Sequence, residues 1–383
     1  MGKKRLLIKD KIKTVKIHIV RAMVRVLYIF PIKGNRIVLF SYYGKQYSCN
    51  PKAITEYILN KYGNRYEVIW AFIDPSKFKH IVDNNVKLVK YKSLKRLYLQ
   101  ATAKYTISNC GAFSWMPRRK KQIHVNTWHA GGAYKRLTTG TSYNRKLTAR
   151  ETSHMISGCK LFTKYNIYEC FDYSGIVMPI GMPRNDVFFD TNKMKEIGRK
   201  TKEKLGLKES DFMILYAPTW RYDGKIPHPD YKVLKKAVKE KYCCNPVVVG
   251  RSHSVKKEIY TDVIDATDYQ DMQELLCAAD MLITDYSSSI WDYSFTYRPC
   301  CLYVEDLEKY EREQGFLTDI RDWGFPLAKN NNELYEKILF FDENDYKMRM
   351  ERHHKMFGSY ETGKATEKFC ETMFENKKRN LVK

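Results

Sequence analysis

Apolar residues fall into short continuous runs along this chain, each bounded by Gly, Pro, Asn or Asp. Residues 36–41 (RIVLFS) and 67–72 (EVIWAF) read as strands buried on both faces, and residues 86–90, 105–108, 123–127, 154–157 and 176–179 repeat the pattern. Helical patterns lie between them, one from about residue 51 and one over 93–103. Residues 190–206 are polar, Lys-rich and poor in aromatics, as expected of a hinge helix. A second set follows at 212–216 (FMILY), 247–249, 263–265, 281–284 and 300–303, with helices near 231–241, 270–279 and 288–297 and a last helix over about 364–379. Strand–helix alternation in both halves predicts an α/β chain with two Rossmann-like, doubly wound parallel sheets, over residues 35–190 and 191–383. Its 383 residues suit two domains of roughly 150–200 residues each.

Residues 1–34 stand apart. They hold ten Lys or Arg against one acid, Asp10, a net +9 of the chain's formal +25. From residue 17 to 30 the run is apolar except for His18, Arg21 and Arg25, which share one narrow stripe on a helix. Two mid-segment arginines make a bilayer span costly, and Pro31-Ile32-Lys33 offers no signal-peptide cleavage site. A basic amphipathic helix lying on an anionic membrane surface is expected; the alternative is a helix packed on the domain with a solvated basic face.

With 44% hydrophobic residues, two cores can be built, which excludes disorder and a small disulfide scaffold. The 68 Lys and Arg against 43 Asp and Glu call for a polyanionic partner. Ten Cys include no CxxC, so reduced thiols are expected, and no zinc spacing is present. DxD, GxGxxG and Walker patterns are absent, so neither a metal nor a dinucleotide cofactor is indicated, and Mg²⁺ stays open.

In doubly wound sheets, ligands gather outside the carboxyl ends of the strands. Several polar clusters sit there. Asp285-Tyr286-Ser287-Ser288-Ser289 follows the strand at 281–284 and opens a helix, which suits a phosphate or simple N-capping. Gly250-Arg251-Ser252-His253 follows 247–249; Arg251 can fork onto a phosphate, and His253 can hydrogen-bond one or serve structurally. Ala217-Pro218-Thr219-Trp220-Arg221 follows 212–216. From the first half come Trp128-His129-Ala130-Gly131-Gly132, where His129 suits a general base, with Lys135 and Arg136 beside it. Gly44-Lys45-Gln46 and Ser108-Asn109-Cys110-Gly111 would line the same mouth. A base from one domain and phosphate grips from the other describe a transferase working in an interdomain cleft.

These motifs resemble the CDP-glycerol glycerophosphotransferases, the teichoic acid primases and polymerases. The resemblance rests on Gly44-Lys45-Gln46-Tyr47 with Asn50-Pro51, Asn126-Thr127-Trp128-His129, and Gly181-Met182-Pro183-Arg184-Asn185-Asp186. It continues through Tyr216-Ala217-Pro218-Thr219-Trp220-Arg221, Arg251-Ser252-His253, Thr284-Asp285-Tyr286-Ser287-Ser288 and Tyr310 with Gly315-Phe316. Seven motifs in order over about residues 36–330 implies a GT-B-like fold attached peripherally to the cytoplasmic membrane face. It implies transfer of glycerol phosphate from CDP-glycerol to a hydroxyl of a polyprenyl-diphosphate-linked or polyol-phosphate acceptor, in teichoic acid or capsule-type synthesis, with release of CMP. By the same resemblance His129 and His253 are the candidates for the proton, and Arg251 and His253 hold the pyrophosphate. Asp285, Ser287 and Ser288 grip the donor, Thr219 and Arg221 shape its pocket, and Gly44, Lys45, Asn126 and Arg184 complete the cleft. The family usually has Thr-Pro after Trp-His-Gly, whereas Ala130-Gly131-Gly132 stands here, a change that bears on the acceptor more than the donor. CDP-ribitol is a close alternative donor, and a GT-B glycosyltransferase using a nucleotide sugar is a second reading of the same fold. A nucleic-acid partner is argued by charge alone and has no motif behind it, so none is expected.

Overall fold

The computed structural model describes residues 2–111, 113–136, 143–221, 223–251 and 263–375. The first sheet has seven parallel strands: β1 (Lys33–Phe40), β2 (Glu67–Phe72), β3 (Lys87–Lys90), β4 (Ala103–Ser108), β5 (Ile123–Asn126), β6 (His154–Ile156) and β7 (Ile176–Met178). Their order is β3-β2-β1-β4-β5-β6-β7. The second has six: β8 (Phe212–Tyr216), β9 (Pro246–Gly250), β10 (Val263–Asp265), β11 (Met281–Thr284), β12 (Cys300–Tyr303) and β13 (Leu327–Ala328), in the order β10-β9-β8-β11-β12-β13. Both sheets therefore have their switch point beside the first strand, between β1 and β4 and between β8 and β11. The central strands are apolar throughout because helices cover both faces, as in Ile37–Phe40 and Met281–Ile283, all fully buried.

Three helices of the first domain matter below: α1 (Gly2–Val26), α2 (Cys49–Tyr62) and α3 (Leu94–Ala101). Helix α1 has two faces of different fate. Ile17, Arg21 and Val24 are buried against the domain. Val15, Ile19, Met23 and Val26, within roughly 80° of arc on the other side, are exposed, Val26 by 67%. Arg21 departs from the solvated stripe expected of it: its Nη2 meets Glu151 at 2.5 Å and its Nη1 donates to the Ser114 carbonyl at 2.8 Å. Burying a guanidinium is costly unless it is paired, and here Glu151 supplies the opposite charge. Helix α1 packs on the domain, as the alternative expectation has it but with Arg21 buried, and it presents an apolar face flanked by Lys16 on one side and His18 and Arg25 on the other. Among the described residues no helix is long and apolar enough to cross a membrane.

The second domain ends before the last helix. Ala365–Phe374 crosses back to pack on α2, and the Tyr105 hydroxyl donates to the Met373 carbonyl at 3.0 Å. Its apolar face, with Phe369 and Cys370 buried, completes the first domain's core rather than the second's. The return passes through Glu361, whose carboxylate accepts from Met182 N at 2.9 Å, Asn185 Nδ2 at 3.1 Å and Trp291 Nε1 at 3.1 Å. The segment after β5 reaches the other way. Lys135 bridges Phe316, and Tyr134 is buried with Trp323 and His353 of the second domain.

Burial pushes the Glu361 carboxyl up to about 8, against the hydrogen bonds that pull it down. Between the ordinary 4.5 and about 8 the folded chain holds a proton that the unfolded chain has lost, so this group's contribution to stability falls as pH rises. The slope is about 1.4 kcal/mol per pH unit at most. Glu361→Gln removes that titration, so urea unfolding at about pH 5 and about pH 8 should show the variant gaining on the wild type as pH rises. A difference independent of pH would mean that Glu361 titrates as an ordinary carboxylate.

Candidate active site

The carboxyl ends of the two sheets face each other across a cleft of about 480 Å³. From the first domain it is lined by Tyr42, Lys45, Gln46, Cys49 and His129 among others; from the second, by Pro218, Arg251, Gln273 and Ser287–Ser289. The loops after β1 and β8, and the turn after β11, thus meet at the two switch points, where the strand-order rule places a ligand.

His129 follows β5 on a backbone strained at its neighbour, Trp128 having φ +50°. The Trp128 indole stacks on the imidazole with centroids 4.4 Å apart, and Nδ1 lies 2.8 Å from the Asn109 carbonyl. A carbonyl accepts only, so Nδ1 carries the proton and Nε2 is the basic nitrogen. Two carbonyls of this loop, Thr127 and Trp128, accept from Asn50 Nδ2 at 3.2 and 3.1 Å, and Asn50 Oδ1 accepts from Arg184 N at 3.1 Å. Asn50 therefore joins three segments that meet only in the fold. Asn126 acts behind the loop, accepting from Trp128 N at 3.0 Å. Gly44 is needed for φ +83° and close approach, since a Cβ there would stand 3.0 Å from the Ala71 carbonyl and from Tyr91. Lys45 lies exposed on the rim.

Arg184 is buried and occupied. Its Nε and Nη2 fork onto Asp292 at 3.0 and 3.1 Å, and Nη1 reaches Cys49 Sγ at 3.1 Å. Arg251 also reaches the cleft; burial lowers its pKa, and Tyr42 and Asp271 act against that. Ser287 and Ser288 line the wall, with Ser289 Oγ donating to Ser287 Oγ at 2.9 Å. His253 lies outside the described residues.

Thr219, Arg221 and Asp285 are placed elsewhere. Asp285 accepts twice from Thr219 N, at 2.8 and 3.0 Å, and meets Arg221 Nη1 at 2.9 Å. Arg221 also forks onto Asp306 at 2.7 and 3.0 Å, with its guanidinium carbon over Tyr286 and Tyr310. None of the three lines the cleft. They brace the turns after β8 and β11 that carry Pro218 and the serines. Lys135 joins them, 3.3 Å from Thr219 Oγ1, with burial holding its ammonium down to about 8.

Gly131 answers a packing need: a Cβ there would fall 2.4 Å from Trp291 Cδ1. The altered loop after His129 is thus packed closely against the second domain. Tyr42, Cys49, Gln270, Gln273 and Asp292 were not singled out from the sequence. Gln270 and Gln273 lie just beyond β10, so the strand-end rule applied to that strand could have found them. Nothing in the sequence distinguishes Asp292 from an ordinary helix carboxylate. Among the described residues no group of three or more His, Cys, Asp or Glu is disposed to hold a metal ion.

The sequence matches the family described as CDP-glycerol:poly(glycerophosphate) glycerophosphotransferase over residues 22–375. It is 33% identical to the teichoic acid poly(glycerol phosphate) polymerase of Bacillus spizizenii, over 86% of this chain and 89% of that one. It is 28% identical to the teichoic acid glycerol-phosphate transferase of Staphylococcus aureus, over 96% of this chain and 100% of the relative. The teichoic acid ribitol-phosphate primase of Bacillus spizizenii is 25% identical, over 90% and 92%. Among solved structures, a variant of the wall teichoic acid polymerase TagF superposes with a TM-score of 0.78 at 26% identity, over 96% of this chain and 97% of that chain. A putative UDP-N-acetylglucosamine 2-epimerase from Listeria monocytogenes, at 13% identity and TM-score 0.53, shares the fold alone.

Breaking the Arg184–Asp292 pair from one side leaves a buried charge unmatched. Asp292→Asn should cost about 3–5 kcal/mol in urea unfolding, where an exposed pair would cost under about 1 kcal/mol. A loss in the lower range would show that water reaches the pair.

Proposed function

The chain belongs to the CDP-glycerol:poly(glycerophosphate) glycerophosphotransferase family, and on that footing we propose that it transfers glycerol phosphate from CDP-glycerol to a hydroxyl of a membrane-linked acceptor in teichoic acid synthesis. The observation that carries this reading is the meeting of His129 from one sheet with Arg251 and Ser287–Ser289 from the other around one cleft. Glycerol is favoured over ribitol by the higher identity to the glycerol-phosphate relatives.

The acceptor oxygen attacks the donor phosphorus that bears glycerol, and its proton passes to His129 Nε2. A bond forms between that oxygen and phosphorus, the bond to the bridging oxygen breaks, and CMP leaves with the electron pair. Arg251 and the hydroxyls of Ser287 and Ser288 hold the diphosphate and take up charge developing on it, with His253 assigned beside them from its motif. Thr219, Arg221 and Asp285 support the donor side through the turns they brace, and Lys45 adds positive charge at the mouth.

Attachment to the cytoplasmic membrane face is read from α1. Its exposed apolar face, continued by Ile29 (79% exposed) and Phe30, lies between Lys16 on one flank and His18 and Arg25 on the other. That distribution suits a helix sunk shallowly among anionic headgroups.

Purified enzyme should release CMP from CDP-glycerol when a lipid-linked acceptor is present, and release little from CDP-ribitol or UDP-sugars. His129→Ala should lower that turnover about 10²–10⁴-fold; turnover within a few-fold of wild type would sink the assignment of the base. Replacing Ile19 and Val26 by Asp should abolish sedimentation with vesicles of anionic phospholipid while sparing turnover of a water-soluble acceptor. Unchanged sedimentation would show that another surface meets the membrane.

A further inference from the structure

Between α1, the turn after β3 and the start of α3 lies an open groove of about 560 Å³. Its apolar lining comes from Ile17, Val20, Leu94, Leu97 and Trp115, and Leu94 is 70% exposed. Its charged lining is all of one sign, Lys16, Lys92 and Arg96, with no acidic residue among the residues that line it. Lys16 and Lys92 lie on the surface, and neither has an ion pair among the described residues. Arg96 is buried, its guanidinium carbon 4.3 Å from the Tyr91 ring centroid and 4.1 Å from that of Trp115. It donates to Gln100 Oε1 at 3.0 Å, and among the described residues no carboxylate neutralises it and its Nε has no hydrogen-bond partner. Elsewhere in this chain buried arginines are neutralised, Arg21 by Glu151, Arg36 by Glu67 and Arg184 by Asp292. The groove therefore combines an exposed apolar wall with unneutralised positive charge, the complement of an apolar chain ending in an anion.

Its position narrows the occupant. One wall is α1, whose outer face carries the apolar strip described above. The other, Tyr91, packs directly against Gly44 in the loop that lines the catalytic cleft. The larger cavity on the other side of Arg184, about 820 Å³, is lined by six carboxylates against four cations, of which Lys52 and Arg184 are already paired, so it suits an anionic chain less well than the groove. We propose that this groove holds the lipid-phosphate end of the membrane-linked acceptor, its hydrocarbon along Ile17, Val20, Leu94 and Leu97 and its phosphate against Lys16 and Lys92. The proposal rests on the membrane-linked acceptor of the preceding section.

The test uses the full chain and two kinds of measurement. In calorimetry, decyl phosphate below its micellar concentration should bind saturably, while decanol and inorganic phosphate should each bind at least about tenfold more weakly. The double substitution Lys92→Glu with Leu94→Asp changes two exposed side chains at the start of α3, where an acid is tolerated. It should weaken decyl phosphate about tenfold or more, whereas the α1 variant with Ile19 and Val26 replaced by Asp should bind it as wild type does. In turnover, the groove variant should raise KM for a lipid-bearing acceptor by a similar factor, leaving kcat and the KM for a chain-free polyol phosphate unchanged. Equal binding of decyl phosphate to wild type and groove variant, or equal affinity for decanol, overturns the proposal. Absence of any CDP-glycerol turnover would instead count against the reaction, and calorimetry would still decide the groove.

Discussion

The buried ion pair of Arg184 and Asp292 is the constraint on which the site depends. Removing two charges from water costs several kcal/mol for each, so such a pair persists only where further hydrogen bonds complete it. Here Gln273 donates to Asp292 at 2.9 Å, Cys49 takes the remaining edge of Arg184, and the Arg184 main chain is bonded to Asn50. Asn50 in turn holds the two carbonyls that precede His129. A shift of the second domain relative to the first would break this set at several points together. The pair thus ties the height of the imidazole to the wall that carries Arg251 and the serines, and a structural interaction sets a chemical distance.

The same logic explains why the domains interpenetrate. The segment after β5 inserts Tyr134 into the second domain, and the last helix returns Phe369 to the first. Lys52 of α2 adds a latch at the cleft edge, 2.7 Å from both Asp271 and Glu274. Two doubly wound sheets joined only by a linker would move freely as rigid bodies. With chain crossing in both directions, the open edge of the cleft stays available to ligands while its hinge side is packed.

Much of this was legible in the sequence. Parallel strands buried on both faces are written as unbroken apolar runs, so twelve of the thirteen strands were placed by their residues, and only the two-residue β13 left too short a signal. The strand-end rule then located the cleft and placed His129, Arg251, Ser287 and Ser288 on it. It could not separate residues that face a ligand from those that face one another. Arg221 and Asp285 sit in motifs as polar as Arg251 and Ser287, yet their charges are spent on each other and on Asp306. Arg21 misled for the same reason: helical periodicity assigns it a side, but only Glu151, 130 residues away, decides that the side is buried. Crossing of the last helix is equally silent, because an amphipathic segment does not record which core accepts it.

What remains visible in the sequence is the excess of positive charge, and the structure gives it a distribution. The arginines that hold the fold together are matched with carboxylates, Arg21, Arg184 and Arg221 each to a named partner. The surplus therefore has to be carried by side chains outside those pairs. Among them are Lys16 and Arg25 along α1, Lys92 and Arg96 at the groove, and Lys45 and Arg251 at the cleft. On the proposed function, a diphosphate donor, a polyanionic product and an anionic membrane surface would each be drawn by positive potential between α1 and the cleft. Among the described residues, cations without an ion pair stand at α1, at the groove and at the cleft mouth. Neutralising pairs there would have strengthened the local fold and lost the field.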